Sequence, residues 1–267
     1  MSEDVFIKIK REKIVELLSQ NKRLDGRGPN DFRKITLETN MLDKVAGSAS
    51  VSIGNTKVMV GVAIETGEPF SDTPNQGVLT VNAELVPLAS PTFEPGPPSE
   101  DAIELARIID RGIRGSESID LEKLCIAPGK KVFVIFIDIY ILDYDGNLFD
   151  ASALASIAAL NTAKMKNWEI NEKGELELKS NLIPLPIKSL PIAVTIAKID
   201  EYMVVDPSLD EEKASDSRIT IIFDSNDNIC ALQKTGTGTL TMEDVLRAEE
   251  IARAKAAELR KMLRGSL

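Results

Sequence analysis

Three arginines define the first chemistry this sequence could do. Arg107, Arg111 and Arg114 recur at steps of four and three, so in a helix their guanidinium groups line one stripe. Guanidinium binds phosphate oxygens bidentately, and such a row suits a nucleic-acid backbone. The spacing fits a solvated face equally well, with Glu104 pairing to Arg107 or Arg111 and Asp110 to Arg114. A second stretch gathers Asp206, Asp210, Glu211, Glu212 and Asp216 in what reads as an acidic loop. Clustered carboxylates could hold Mg²⁺ or Mn²⁺ beside a phosphate substrate, although this spacing matches no calcium loop. A third runs over 143–156, where a turn enters a helix. Free amides at that helix start, with the Ser152 hydroxyl nearby, could receive an anion. Asp143, Asp145 and Asp150 would repel a phosphate there, and the turn holds no basic residue.

Composition narrows the chemistry. Histidine is absent from all 267 residues, which excludes His-dependent triads, the usual zinc sites and imidazole acid–base catalysis. Any catalysis would rest on carboxylates, lysine, tyrosine, cysteine or a carboxylate-held metal. With 32 basic against 42 acidic residues the net charge is −10, so the overall field does not attract nucleic acid. Contact with RNA would need a local basic stripe or a surface shared with a more basic partner. Aromatics are only 4%, which argues against a base-stacking module. No run approaches the roughly 20 apolar residues needed to cross a bilayer. The acidic opening Met1-Ser2-Glu3-Asp4 has no signal-peptide character, and Cys125 and Cys230 read as reduced, buried and structural. The expected setting is cytoplasmic, with no membrane partner.

The elements that must position these residues can be read in order. An amphipathic helix is expected over 9–22, followed by the charged turn Arg23-Leu24-Asp25-Gly26-Arg27-Gly28, read as a helix stop and an exposed loop. Strands are expected over 34–38, 48–53, 57–64 and 78–88, with Gly54-Asn55 as a hairpin turn. The proline-rich stretch Phe93-Glu94-Pro95-Gly96-Pro97-Pro98 forbids regular structure. Ser99 then caps the arginine-bearing helix, Glu100 and Asp101 meet its positive end, and Ile103, Ala106, Ile109 and Ile113 form its buried face. The β-branched run over 132–142 reads as a strand covered on both faces. A helix of small residues over 149–165 should lie deeply buried. Strands follow at 192–199, 218–223 and 229–233. Thr235-Gly236-Thr237-Gly238 is a turn without the ending of a P-loop, and Thr241 with Asp244 caps a helix reaching about 263. The chain is thus α+β, with two halves alike in element order and no strict sequence repeat.

Several motifs carry a resemblance. The Arg-x-Asp-Gly-Arg turn at Arg23 to Arg27, Gly47-Ser48-Ala49 and Gly54-Asn55-Thr56 resemble the RNase PH family of phosphate-dependent 3′→5′ exoribonucleases. Asp72-Thr73-Pro74-Asn75-Gln76-Gly77, the proline-rich stretch and Ile103-Glu104-Leu105-Ala106-Arg107 look like one branch of it, the archaeal exosome subunits that lack their own catalytic residues. The resemblance implies two βαβα-type halves with mixed sheets and packed helices. It also implies a hetero-hexameric ring, a trimer of dimers, shared with a catalytic RNase PH-like paralogue, with RNA in a central channel and RNA-binding cap proteins. It gives an N-terminal helix over 1–22 packing on a single RNase PH-like domain over 23–267.

Departures from the active members decide the expected role. Where they carry Gly-Thr-Arg or Gly-Ser-Arg to bind the attacking phosphate, this chain has Gly146-Asn147-Leu148. Where they place two aspartates six residues apart, it has Glu212 and Arg218, and their paired arginines before the RNA-facing helix are here Glu100 and Asp101. No catalytic residue, metal site or cofactor is expected. The resemblance assigns RNA contact to Arg107 and Arg111, and the shared stripe adds Arg114. The rival expectation is an active phosphorolytic exoribonuclease using Glu212, Asp216 and a metal.

Overall fold

The computed structural model describes residues 3–170 and 176–266. Met1 and Ser2, half of the acidic opening, lie outside the described residues. Helix α1 (Glu3–Leu18) precedes strands β1 (Ile35–Thr39), β2 (Gly47–Ile53), β3 (Thr56–Gly67) and β4 (Val78–Leu85). Helix α2 (Glu100–Gly115), strands β5 (Cys125–Ala127) and β6 (Lys131–Asp143) and helix α3 (Leu148–Thr162) complete the first half. A hairpin of β7 (Lys164–Ile170) and β8 (Leu176–Pro184) separates it from the second. That half holds β9 (Ile192–Ile199), β10 (Tyr202–Val205), α4 (Leu209–Ala214), β11 (Ser217–Phe223), β12 (Ile229–Thr235) and α5 (Met242–Ser266).

The first sheet has the order β1-β2-β3-β6-β4, with β5 pairing β6. It is mixed because β4 runs parallel to β6 while the other neighbours are antiparallel. The second sheet, β10-β9-β11-β12, is antiparallel throughout. Helices α2 and α3 lie between the sheets, and α5 covers β9 and β11 from the other side. One apolar core runs through both sheets and the helices between them. Small residues let these layers close: a Cβ on Gly47 of β2 would stand 2.4 Å from the Ala159 carbonyl of α3. Helix α1 packs on α4, and its Ile14 and Leu18 join Ile199, Val204 and Ala214 in a smaller cluster.

Most expected elements are present, and the exceptions have physical causes. The segment expected as an acidic loop contains α4, started by a capping box in which Ser208 and Glu211 bond reciprocally. Helix α3 stops at Thr162 because the chain turns into β7, so Met165, expected in that helix, is a strand residue. Strand β6 buries only one face; on the other, Tyr140 is 41% exposed. The buried side of α2 is Ala102, Leu105, Ile108, Ile109, Gly112 and Ile113, not the face that includes Ile103 and Ala106. The second sheet draws the helix round: a Cβ on Gly112 would lie 2.8 Å from Ile222 Cδ1, and Ile103 is left 49% exposed. Arg23, expected in an exposed loop, is 3% exposed. Cys125 and Cys230 are free thiols but only half-buried.

Candidate nucleic-acid interface and a filled anion site

The arginine ridge rests on a firmly anchored helix. Ser99 Oγ accepts from the Ala102 amide at 3.3 Å, as its capping role requires, and Glu100 and Asp101 occupy the positive end. Leu105, Ile108, Ile109 and Ile113 are buried on the opposite side, each contributing about 1.5–3 kcal/mol. That anchorage is large compared with any exposed ion pair, so the outward side chains are not what holds α2 in place.

All three predicted arginines are exposed, but they differ in what they touch. Arg107 makes no hydrogen bond or ion pair among the described residues. Arg111 donates from Nη2 to the Gln233 side-chain carbonyl on β12. Arg114 is held twice: Nε donates to Asp110 at 2.8 Å and Nη2 to the Leu79 carbonyl of β4 at 2.6 Å. The i,i+4 pairing open in the sequence is therefore formed at Asp110–Arg114. The other is not, because Glu104 accepts from Gln233 Nε2 at 2.9 Å and Thr235 Oγ1 at 3.3 Å. Arg107 and Arg111 are both exposed, Arg111 reaching to β12 of the second sheet, and Arg114 is drawn off towards the first sheet.

The turn at the start of α3 is built very differently. Arg33 donates to the carbonyls of Asp145 (2.6 Å) and Gly146 (3.1 Å), and Thr56 Oγ1 also donates to Gly146 (2.6 Å). Gly146 has φ +87° and no room for a side chain, since a Cβ would meet the Leu209 amide nitrogen at 2.6 Å. This contact brings α4 against the turn and places Glu212 at the α3 N-terminus. Glu212 accepts from the Asn147 amide at 3.0 Å, from Tyr144 Oη at 2.9 Å and from the Arg218 guanidinium. The helix start that could receive an anion has thus received one from its own chain. Burial, reinforced by Glu212, pushes the Tyr144 phenol well above its usual range, keeping it a neutral donor. Phe93 of the proline-rich stretch stacks on Tyr144 with ring centroids 5.3 Å apart, tying the approach to α2 to the same cluster. Ser152, expected as a further anion donor, is buried within α3, and its hydroxyl has no hydrogen-bond partner among the described residues.

The other acidic residues of the 206–216 segment are each matched to a cation. Asp206 takes Arg33 Nε at 2.9 Å, Arg33 Nη2 at 2.7 Å, Arg27 Nη1 at 3.0 Å and Asn147 Nδ2 at 2.8 Å. Burial alone would raise its pKa, but the Arg33 guanidinium outweighs that and holds the carboxyl below the usual carboxylate range. Arg23 Nε donates to Glu211 at 2.8 Å, and its Nη1 to the Val205 carbonyl at 2.7 Å. Asp210 pairs with Lys10 and Asp216 with Arg11, both from α1. These pairings leave the cluster no surplus of negative charge for a divalent cation. Asp150, in the first turn of α3, has no cation in contact among the described residues; burial pushes it up to about 7 against bonds from Asn147 and Thr195.

Sequence reasoning brought Glu212 and Arg218 to matching positions but did not foresee that they bond to each other. It also missed Tyr144, Phe93 and Arg33. The Ser-x-x-Glu start of α4 was legible and would have moved Glu212 from a solvated loop to a fixed helix.

The fold is that of a known group. The chain matches the 3′ exoribonuclease family, domain 1 over residues 31–166 and domain 2 over residues 189–255, and it belongs to that family. It is 52% identical to the exosome complex component Rrp42 of Thermococcus gammatolerans over 261 residues, 97% of this chain and 96% of that protein. It is 48% identical to the Rrp42 of Methanocella arvoryzae, covering 99% of each. Among solved structures it resembles a chain of the Archaeoglobus fulgidus exosome with RNA bound to the active site. That match has TM-score 0.89 and 46% identity, covering 97% of this chain and 99% of that one. Rice Rrp46, 20% identical with TM-score 0.69 over 91% of this chain and 98% of that one, shares the fold. The α+β RNase PH-like architecture expected from the motifs is the one found.

Proposed function

We propose that this chain is a catalytically silent, RNA-holding subunit of a phosphate-dependent 3′→5′ exoribonuclease ring of the exosome type. It alternates with a catalytic RNase PH-like paralogue in a hetero-hexamer, a trimer of dimers that also carries RNA-binding cap proteins and works in the cytoplasm. In this reading the helix over 1–22 is an attachment to a single unit over 23–267. Arg107 and Arg111 grip RNA phosphates next to the neighbour's active site, with Arg114 a weaker contributor because Asp110 and Leu79 already hold it.

The observation that carries silence is Glu212 seated on the Asn147 amide and paired with Arg218. Attack by inorganic phosphate needs an anion site with surplus positive charge, and a fixed carboxylate there opposes one by both occupancy and repulsion. The rival use of Glu212 and Asp216 with a metal is disfavoured on the same ground, since each faces a guanidinium, Arg218 and Arg11 respectively. Close similarity to Rrp42 proteins and to a chain of an RNA-bound exosome supports membership of the ring. No helix among the described residues is long and apolar enough to cross a membrane.

Incubating the purified chain with RNA and phosphate tests silence. No nucleoside diphosphate should be released until the paralogue is added and the two co-purify as a ring. Steady diphosphate release by the chain alone would overturn the proposal.

A further inference from the structure

Strand β4 ends the first sheet, pairing only with β6 among the described residues. An edge strand presents a row of N–H and C=O groups that a second chain can pair with. Arg114 takes the Leu79 carbonyl, and backbone groups repeat with period two along a strand, so Val81, Ala83 and Leu85 face the same open side. No bond from outside the sheet reaches those three among the described residues. The proline-rich stretch runs alongside, but Pro95, Pro97 and Pro98 have no N–H with which to pair.

A groove of about 1170 Å³ follows this edge from Leu79 to Leu85. At the rise of a strand that is a length of about 20 Å, which suits an extended chain better than a small molecule. Its two walls differ in charge. The outer sheet face offers Glu84 and Asp138 around the exposed Tyr140, with Asn82 Nδ2 donating to Asp138 at 3.2 Å and no cation in contact among the described residues. The α2 wall offers Ile103 and Ala106 together with Asp101, Arg107 and Asp110, the last already paired with Arg114. Side chains of a strand alternate, so an incoming strand would show every second residue to the carboxylates and the rest to the apolar wall. RNA phosphates laid along the edge would meet Glu84 and Asp138 and be repelled.

We propose that this groove receives an extended protein segment bearing lysine or arginine at alternate positions. The segment adds to β4 as a further strand, its cations towards Glu84 and Asp138 and its apolar residues towards Ile103 and Ala106. This assignment rests on the edge and its two walls and is independent of RNA binding at the ridge.

The test titrates the full chain with a capped peptide of alternating lysine and valine, four of each in this design, reading amide exchange by NMR. Saturable binding is expected, with exchange at Val81, Ala83 and Leu85 slowed about tenfold or more; an alternating glutamate–valine peptide and oligouridylate should leave those amides unchanged. Glu84→Lys with Asp138→Lys should weaken peptide binding about tenfold or more, equivalent to about 1.4 kcal/mol. Val81→Pro, an edge substitution that keeps both carboxylates, should abolish the protection. Failure of the lysine peptide to bind, binding without edge protection, or protection of the same amides by oligouridylate would overturn the proposal.

Discussion

The two charged regions of this chain stand in opposite relations to their surroundings. At the start of α3, Glu212, Asp206 and Glu211 are held by Arg218, Arg33 and Arg23, in places where water scarcely reaches. On α2, Arg107 has no partner among the described residues and Arg111 only a neutral amide, both in solvent. Taking paired charges out of water yields little net stability, yet removing one member leaves the other stranded at high cost. Exposed arginines contribute almost nothing to folding and remain available to an anionic ligand. The contrast separates charge that maintains the fold from charge that can act on something outside it.

That division can be broken most forcefully at its buried end. Arg33→Met leaves Asp206 with Arg27 as its one remaining guanidinium among the described residues and removes the bonds to Asp145 and Gly146, and it should destabilise the chain by about 3 kcal/mol in denaturant unfolding. A loss below about 1 kcal/mol would mean the network is not what orders this turn. Glu212→Ala should cost less, about 1–3 kcal/mol, while freeing the Asn147 amide and the Arg218 guanidinium together. Saturable phosphate binding by that variant, absent from the wild type, would show by calorimetry that the carboxylate had been filling an anion site.

Acid sharpens the same comparison. Asp206 titrates below the ordinary carboxylate range, so its contribution is present above the unfolded-state pKa and is lost as pH falls through the folded one. Asp150 has the opposite sign. Raised to about 7, it favours the folded state most when protonated, and stability falls as pH rises through that value. Asp150→Asn should therefore flatten the stability profile between about pH 4 and 7, read from denaturant midpoints. The smallest effects on folding belong to α2, where Arg107→Ala should change stability by no more than about 0.5 kcal/mol.

Legibility in the sequence followed the range of the interactions. Strand 192–199 and the caps at Ser99 and Thr241 depend on near neighbours, and the structure reproduces them. The rotation of α2 is set by Ile222, over a hundred positions away, so periodicity pointed to Ile103 where packing chose Leu105 and Ile108. Arg23 looked like a loop residue because its partner, Glu211, lies 188 positions on. The β7–β8 hairpin was missed although Lys164, Met165 and Lys166 already alternate. At the start of α3, Glu212 and Arg218 were legible as residues, but the bond between them was not.

The most direct test measures how RNA affinity of the reconstituted ring depends on salt, with this chain carrying either its own residues or Arg107→Ala with Arg111→Ala. Each lost phosphate contact should lower the magnitude of the log–log slope by about 0.7 for a single strand, so the double variant should bind more weakly at low salt and be less salt-sensitive by about 1.4. An affinity and slope equal to those of the unaltered ring would contradict the assignment of α2 to RNA.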